Sequence, residues 1–198
     1  MEFVVENGMA FTTFNGVRGT LSRADVGVLI GTTQTLKNGA KYLETGSYLG
    51  CSALIVAWHS KATVYAHDIW VTDWSELKGN PPPQVDDYFY KFYKMVLDNK
   101  MDNQIVPIRG NSTYTVGIHE DQSIDVAFVD GDHSYEGCYG DLVAVYPKVK
   151  LGGTILAHDC YGGTETLKAV LDFTKIHNIE LSYIKDSCGM VLFKKNSV

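Results

Sequence analysis

From residue 41 onward the chain alternates between short aliphatic runs and amphipathic stretches of helical length. The pattern predicts strands over 41–45 (KYLET), 63–68 (TVYAHD), 104–109 (QIVPIR), 124–130 (IDVAFVD) and 154–159 (TILAHD). Between them it predicts helices over 50–59, 86–99, 134–146 and 163–176. A strand can follow a parallel neighbour only through a crossover, so this order demands a mostly parallel sheet with helices on both faces. The fold class is therefore α/β, a doubly wound three-layer sheet. Segments 180–185 and 190–195, separated by DSCG, read as a terminal hairpin, which makes the last strand antiparallel. Pro107 removes a ladder donor from the third strand and places that strand at the sheet edge.

Upstream, residues 1–20 read as irregular around Gly8, Gly16 and Gly19. A helix is predicted from Ser22, whose hydroxyl can cap it, with Asp25 three residues on. It runs to about Leu36 and ends before Asn38-Gly39. The chain of 198 residues then reads as one domain. An N-terminal segment and helix (1–38) precede the sheet core (39–198).

Charge narrows the partners. Lys and Arg number 17 against 23 Asp and Glu, a net charge of −6, so no nucleic acid is expected. Cys51, Cys138, Cys160 and Cys188 form no Cys-x-x-Cys pair and read as reduced thiols. Glu2 and Glu6 stand where a signal peptide needs basic residues, and no run approaches a membrane span. A cytoplasmic protein without a membrane partner is the expectation.

The first strand runs into Glu44-Thr-Gly46-Ser47-Tyr48-Leu-Gly50-Cys-Ser52. Glycine at a strand-to-helix turn lets backbone approach a ligand, and the helix start offers free N–H groups. Asp68 ends the second strand about 20 residues past this turn, where an acid reaches a ribose. A dinucleotide site needs glycine where Tyr48 stands, close to a pyrophosphate. The turn therefore points to a nucleoside ligand without a pyrophosphate, and S-adenosylmethionine fits.

Residues 129–159 (VDGDHSYEGCYGDLVAVYPKVKLGGTILAHD), together with the turn at 44–52, resemble the small class I S-adenosylmethionine-dependent methyltransferases. They are most similar to the group related to catechol-type and macrolide-sugar O-methyltransferases. The resemblance covers about residues 40–195. It implies a Rossmann-like seven-stranded sheet of order 3-2-1-4-5-7-6 with strand seven antiparallel. It implies that Gly46, Ser47 and Tyr48 surround the methionine part of the cofactor, with Glu44 and Gly50 framing the turn. It further implies that Asp68 binds the ribose, that Ile69 packs on adenine, and that Asn111 and Ser112 meet the adenine edge. Many relatives carry a longer G-x-G-x-G run than Thr45-Gly46 provides.

Strands four and five, adjacent in such a sheet, end in Asp130, Asp132, His133 and in His158-Asp159. Bringing these groups to one crevice is costly unless a cation, a proton or a substrate is shared. Methyl transfer asks the protein to align donor and acceptor and to remove the acceptor proton. By position in the resembled family, Asp130, His158 and Asp159 stand at the ligands of a divalent metal such as magnesium. His133 stands at the place of a lysine base, three residues after Asp130, and Asp130 is expected to be catalytic and cofactor-binding as well. His158 in place of an acid makes the set softer. Asp132 has an alternative role in capping, for which Ser134 is better placed. Asp141 and Tyr135 read as structural, and His59, His67, His119 and His177 as surface or packing residues.

The expected function is O-methylation of a small molecule, metal-assisted or with His133 as base. Two other readings stand beside it: a nicotinamide-dependent oxidoreductase, and a non-catalytic nucleoside-binding assembly module. The first is disfavoured by Tyr48 and by the lack of length for a substrate domain. Residues 1–20 and 69–85, with Phe3, Phe11, Phe14, Trp70 and Trp74, are left to choose the acceptor or to form a homodimer contact, and packing of Trp70 and Trp74 for stability stands equally beside these.

Overall fold

The computed structural model describes residues 1–6, 9–71 and 87–196. The chain opens with β1 (Glu2–Glu6), β2 (Met9–Phe14) and β3 (Val17–Gly19), followed by α1 (Arg23–Thr33). The core alternation follows as β4 (Lys41–Thr45), α2 (Cys51–His59), β5 (Thr63–Asp68), α3 (Asp87–Asp98), β6 (Ile105–Arg109) and α4 (Ser112–Thr115). It continues with β7 (Ile124–Val129), α5 (Tyr135–Val145), β8 (Val149–Ala157), α6 (Glu165–Ile176), β9 (Ser182–Tyr183) and β10 (Val191–Lys194).

The seven-stranded sheet has the order β6-β5-β4-β7-β8-β10-β9. β4 to β8 pair in parallel, and β10 is antiparallel to both β8 and β9. This is the predicted order, with Pro107 on the edge strand β6. Side chains alternate between two cores. Tyr42, Phe128 and Leu156 face the one that holds Leu29, Leu54 and Phe92. Leu43, Ala127 and Ile155 face the one that holds Leu142, Val170 and Phe173. Strands buried on both faces read as continuous apolar runs, which is why the alternation was visible.

Four expectations need correction. Residues 1–20 are not irregular: β1, β2 and β3 form an antiparallel three-stranded sheet. Its second turn is Asn15-Gly16, both at positive φ, a two-residue hairpin between Phe14 and Val17. α1 ends at Thr33, short of Leu36. The fifth core strand, β8, starts at Val149 and ends at Ala157, so His158 and Asp159 lie beyond it. Finally, Phe14 and Trp70 are buried in the core, and Phe3 packs against it. They are spent on stability. Trp74 lies outside the described residues.

The small sheet explains α2. Residues Cys51 to Ala57 are buried throughout, and an all-round apolar helix must be covered on every side. Gly19 of β3 lies against Cys51, with no space for a Cβ, and Cys51 Sγ donates to the Thr12 carbonyl at 3.8 Å. Thr12 Oγ1 in turn donates to the Leu21 carbonyl at 2.7 Å. The N-terminal sheet thus clamps the helix that follows the Gly46–Tyr48 turn, which lines the cleft described next.

Candidate functional site

A parallel sheet sends the C-terminal ends of β4, β5, β6 and β7 to the same side. There they open into a cleft of about 320 Å³, lined among others by Gly46, Tyr48, Asp68, Ile69, Asn111, Ser112, Asp130, Asp132, His133, Asp141 and Asp159. The ladder continues into the loops. Gly46 N–H donates to His67 O at 2.9 Å, Asp130 N–H to Thr45 O at 3.0 Å, and His158 N–H to Val129 O at 3.0 Å. The turns are therefore held by the sheet itself.

Gly46 has φ +82°, and a Cβ built on it would lie 1.9 Å from the Asp130 carbonyl oxygen. The β4 turn and the β7 end are thus in backbone contact. Gly50, at φ +86°, caps α2. Tyr48, Trp70 and Asp159 also sit in the left-handed region without being glycine. All three border the cleft or its wall, and such backbone persists where surrounding structure enforces it. For Tyr48 and Trp70 the enforcement is Asp68, whose carboxylate accepts from Tyr48 N–H at 2.7 Å and Trp70 N–H at 2.5 Å. The Trp70 indole closes the ring by donating to Tyr48 O at 2.8 Å. Burial pushes the Asp68 carboxyl above its ordinary range, and the Trp70 and Tyr48 N–H groups pull it partly back.

Behind the turn, Glu44 is buried and Tyr42 Oη donates to its Oε2 at 3.1 Å. Among the described residues neither its Oε1 nor the buried Ser47 Oγ makes a hydrogen bond of ordinary geometry. Burial raises Glu44 to about 7, against the pull of the Ser47, Ser52 and Tyr42 hydroxyls. Asn111 caps α4, its Oδ1 accepting from Thr113 N–H at 3.0 Å. Ser112 Oγ donates to Asp141 Oδ1 at 2.6 Å.

The other end of the cleft holds the carboxylates and imidazoles. His158 is buried, with Nδ1 at 3.3 Å from Asp130 Oδ1 and 3.4 Å from Asp159 Oδ2. Its Nε2 faces Asp25 Oδ2 at 3.5 Å. Burial disfavours a charged ring, but Asp130, Asp159 and Asp25 overcome it and raise its pKa well above the ordinary value. Asp130 is correspondingly lowered: His158 and His133 outweigh its burial. His133 is largely exposed, with Nε2 at 3.2 Å from Asp159 Oδ2 and 3.8 Å from Asp130 Oδ1. Asp130 and Asp159 raise its pKa. Asp132 is turned to capping: its Oδ1 accepts from Ser134 N–H, and Ser134 caps α5.

The ligand atoms of Asp130, His133 and Asp159 lie within 4.8 Å of one another, a set that could hold a cation. His158 is not in that set, although the sequence reading placed it among the metal ligands. Its ring is spent on three carboxylates instead. Asp25, at the N3 position of the Ser22 capping box, was missed as part of the site. It is fully buried, accepts from Ser22 N–H and Cys188 N–H, and braces His158. A capping box accounts for such a residue locally, so no sequence signal pointed further.

The comparisons bear on this geometry. A family model described as a methyltransferase domain matches residues 43–160. No curated protein matches the sequence. Among solved structures, the O-methyltransferase NovP is 17% identical with a TM-score of 0.67, covering 88% of this chain and 80% of that one. A methyltransferase from Geobacter sulfurreducens is 15% identical with a TM-score of 0.64, covering 89% and 80%. An rRNA methylase from Streptococcus thermophilus is 14% identical with a TM-score of 0.59, covering 87% and 94%. Likeness at such identities speaks to the fold alone. Because it includes an rRNA methylase, the expectation of no nucleic acid rests on charge and not on fold.

Proposed function

The chain belongs to the methyltransferase-domain family, and on that premise we propose that it transfers a methyl group from S-adenosylmethionine to an oxygen of a small-molecule acceptor. The observation that carries the reading is the Gly46 turn. There the backbone lines the cleft and packs so closely on Asp130 and Gly131 that no Cβ fits, and Glu44 and Ser47 lie buried behind it. When bound, the cofactor supplies an activated methyl on a sulfonium. Gly46, Ser47 and Tyr48 would hold its amino acid part, with Glu44 and Gly50 shaping the turn. Asp68 would accept the ribose hydroxyls, Ile69 would pack on the base, and Asn111 and Ser112 would meet its edge. A small acceptor is favoured over RNA because the described cleft lining contains no Lys or Arg.

The cofactor claim is tested by titrating S-adenosylhomocysteine calorimetrically. Wild type is expected to bind, and Asp68→Ala to bind about 10- to 100-fold more weakly, the range of a charge-assisted hydrogen-bond pair. Unchanged affinity would remove Asp68 from the ribose.

His133 would take the acceptor proton: Asp159 and Asp130 hold the ring through Nε2, which leaves Nδ1 to accept it. Its raised pKa means that the ring must first lose its own proton. Methylation by wild type is therefore expected to rise with pH through a value above 6.5. His133→Ala should flatten that limb and lower the rate. An identical pH profile in the variant would reject His133 as base. A divalent cation would be held by Asp130, Asp159 and His133, lowering the acceptor hydroxyl's pKa in place of a free base. Adding and chelating magnesium or manganese separates the two routes.

A further inference from the structure

Asp141 is buried on α5, yet its carboxylate forms part of the cleft wall. Oδ1 is held by Ser112 Oγ at 2.6 Å, while Oδ2 has no partner among the described residues. A buried, half-satisfied carboxylate is expensive, and burial raises its pKa against the pull of Ser112 and Thr45. Its surroundings explain why it is kept. A Cβ on Gly131 would lie 2.7 Å from Asp141 Oδ2 and 3.5 Å from the buried Thr45 Oγ1. The same face of α5 carries two glycines that let loops rest on it. A Cβ on Gly137 would lie 2.4 Å from the Asp132 side chain, and one on Gly140 3.0 Å from Thr113. Glycine inside a helix costs about 1 kcal/mol each, which close approach of the loops offsets.

We infer that Asp141 is the positioning residue of the cofactor cleft, fixing the β6–α4 loop through Ser112 and the β7–α5 loop through Gly131 against the β4 end at Thr45. It does so through other residues and need not touch the ligand. The inference rests on the cofactor reading for its consequence but not for its geometry.

Two measurements test it. In ligand-free protein, Asp141→Ala is expected to speed amide hydrogen exchange at 112–115 and 131–133 together, leaving β1 to β3 unchanged. This readout stands whether or not the protein binds S-adenosylhomocysteine. In calorimetric titration with S-adenosylhomocysteine, Asp141→Ala is expected to weaken binding about tenfold. Asp141→Asn, which keeps an acceptor for Ser112, should restore it to within about threefold, and in the ligand-free exchange measurement adding Ser112→Ala to Asp141→Ala should speed 112–115 no further. If Asp141→Ala does not fold, Asp141→Val replaces it, since an apolar side chain removes the burial cost of the charge. Unchanged exchange in both loops overturns the inference. So does affinity within twofold of a binding wild type, or a further gain in exchange at 112–115 in the double variant.

Discussion

Gly46→Ala is expected to abolish detectable binding of S-adenosylhomocysteine, a loss of more than about 100-fold, and to destabilise the fold by about 1–3 kcal/mol. Two causes act together. The backbone sits at φ +82°, which an alanine adopts only under strain, and the new Cβ would lie 1.9 Å from Asp130 O, 2.5 Å from Asp130 C and 2.7 Å from Gly131 Cα. All three are backbone atoms, so no side-chain rotation relieves the clash. Either the β4 turn or the β7 end must move, and both border the cleft. Gly162→Ala is the control, because its Cβ would meet nothing within 4 Å and its φ is not positive. Calorimetric titration and thermal unfolding of the two variants provide the comparison. Wild-type affinity in Gly46→Ala would show that the turn is not part of the ligand site.

The second large effect is on stability. His158→Ala leaves Asp25, Asp130 and Asp159 facing one another without the ring that neutralises them. Removing one partner of a buried ion pair costs about 3–5 kcal/mol, and Asp25 is fully buried. The sign with pH follows from the directions of the shifts. His158 is raised above 6.5, so its contribution is whole below 6.5 and is lost as pH climbs through the raised value. Asp25 and Asp130 are lowered below 3.8. Their share is whole above 3.8 and is lost as pH falls through the lowered values. For Asp25, burial opposes the lowering and His158 and Ser22 prevail. The gap between wild type and His158→Ala should therefore be widest between about pH 4 and 6.5 and narrow outside that window. Urea unfolding across pH reads it directly, and a variant as stable as wild type at pH 5.5 would refute the ion-pair account.

How much of this was legible beforehand depends on range. Strand ends in a parallel sheet are placed by topology, so Gly46, Asp68, Ser112 and Asp130 could be assigned to one side from the alternation alone. Pro107 and the final hairpin marked the edges for equally local reasons. The N-terminal sheet was hidden because β1 and β2 are half-exposed and β3 is three residues long, although Asn15-Gly16 is a hairpin signal that deserved weight. Asp25 was hidden by a sufficient local explanation, its capping box. His158 was visible as chemistry, but its ring orientation depends on that remote carboxylate. The pairing of His67 with His119, Nε2 to Nε2 at 3.0 Å, was equally out of reach. It joins β5 to the segment after α4, and burial followed by His119 lowers His67 to about 3, keeping it neutral.

The acid-lined cleft has a kinetic corollary. Asp68, Asp130, Asp132 and Asp159 border it, and among the described residues no Lys or Arg does. Under the proposed reaction the cofactor arrives as a cation and leaves as a neutral thioether. Such a lining discriminates between the two, retaining the loaded form more strongly than the spent one. Turnover would then be protected against product inhibition by the walls of the cleft, and raising ionic strength should erode that protection.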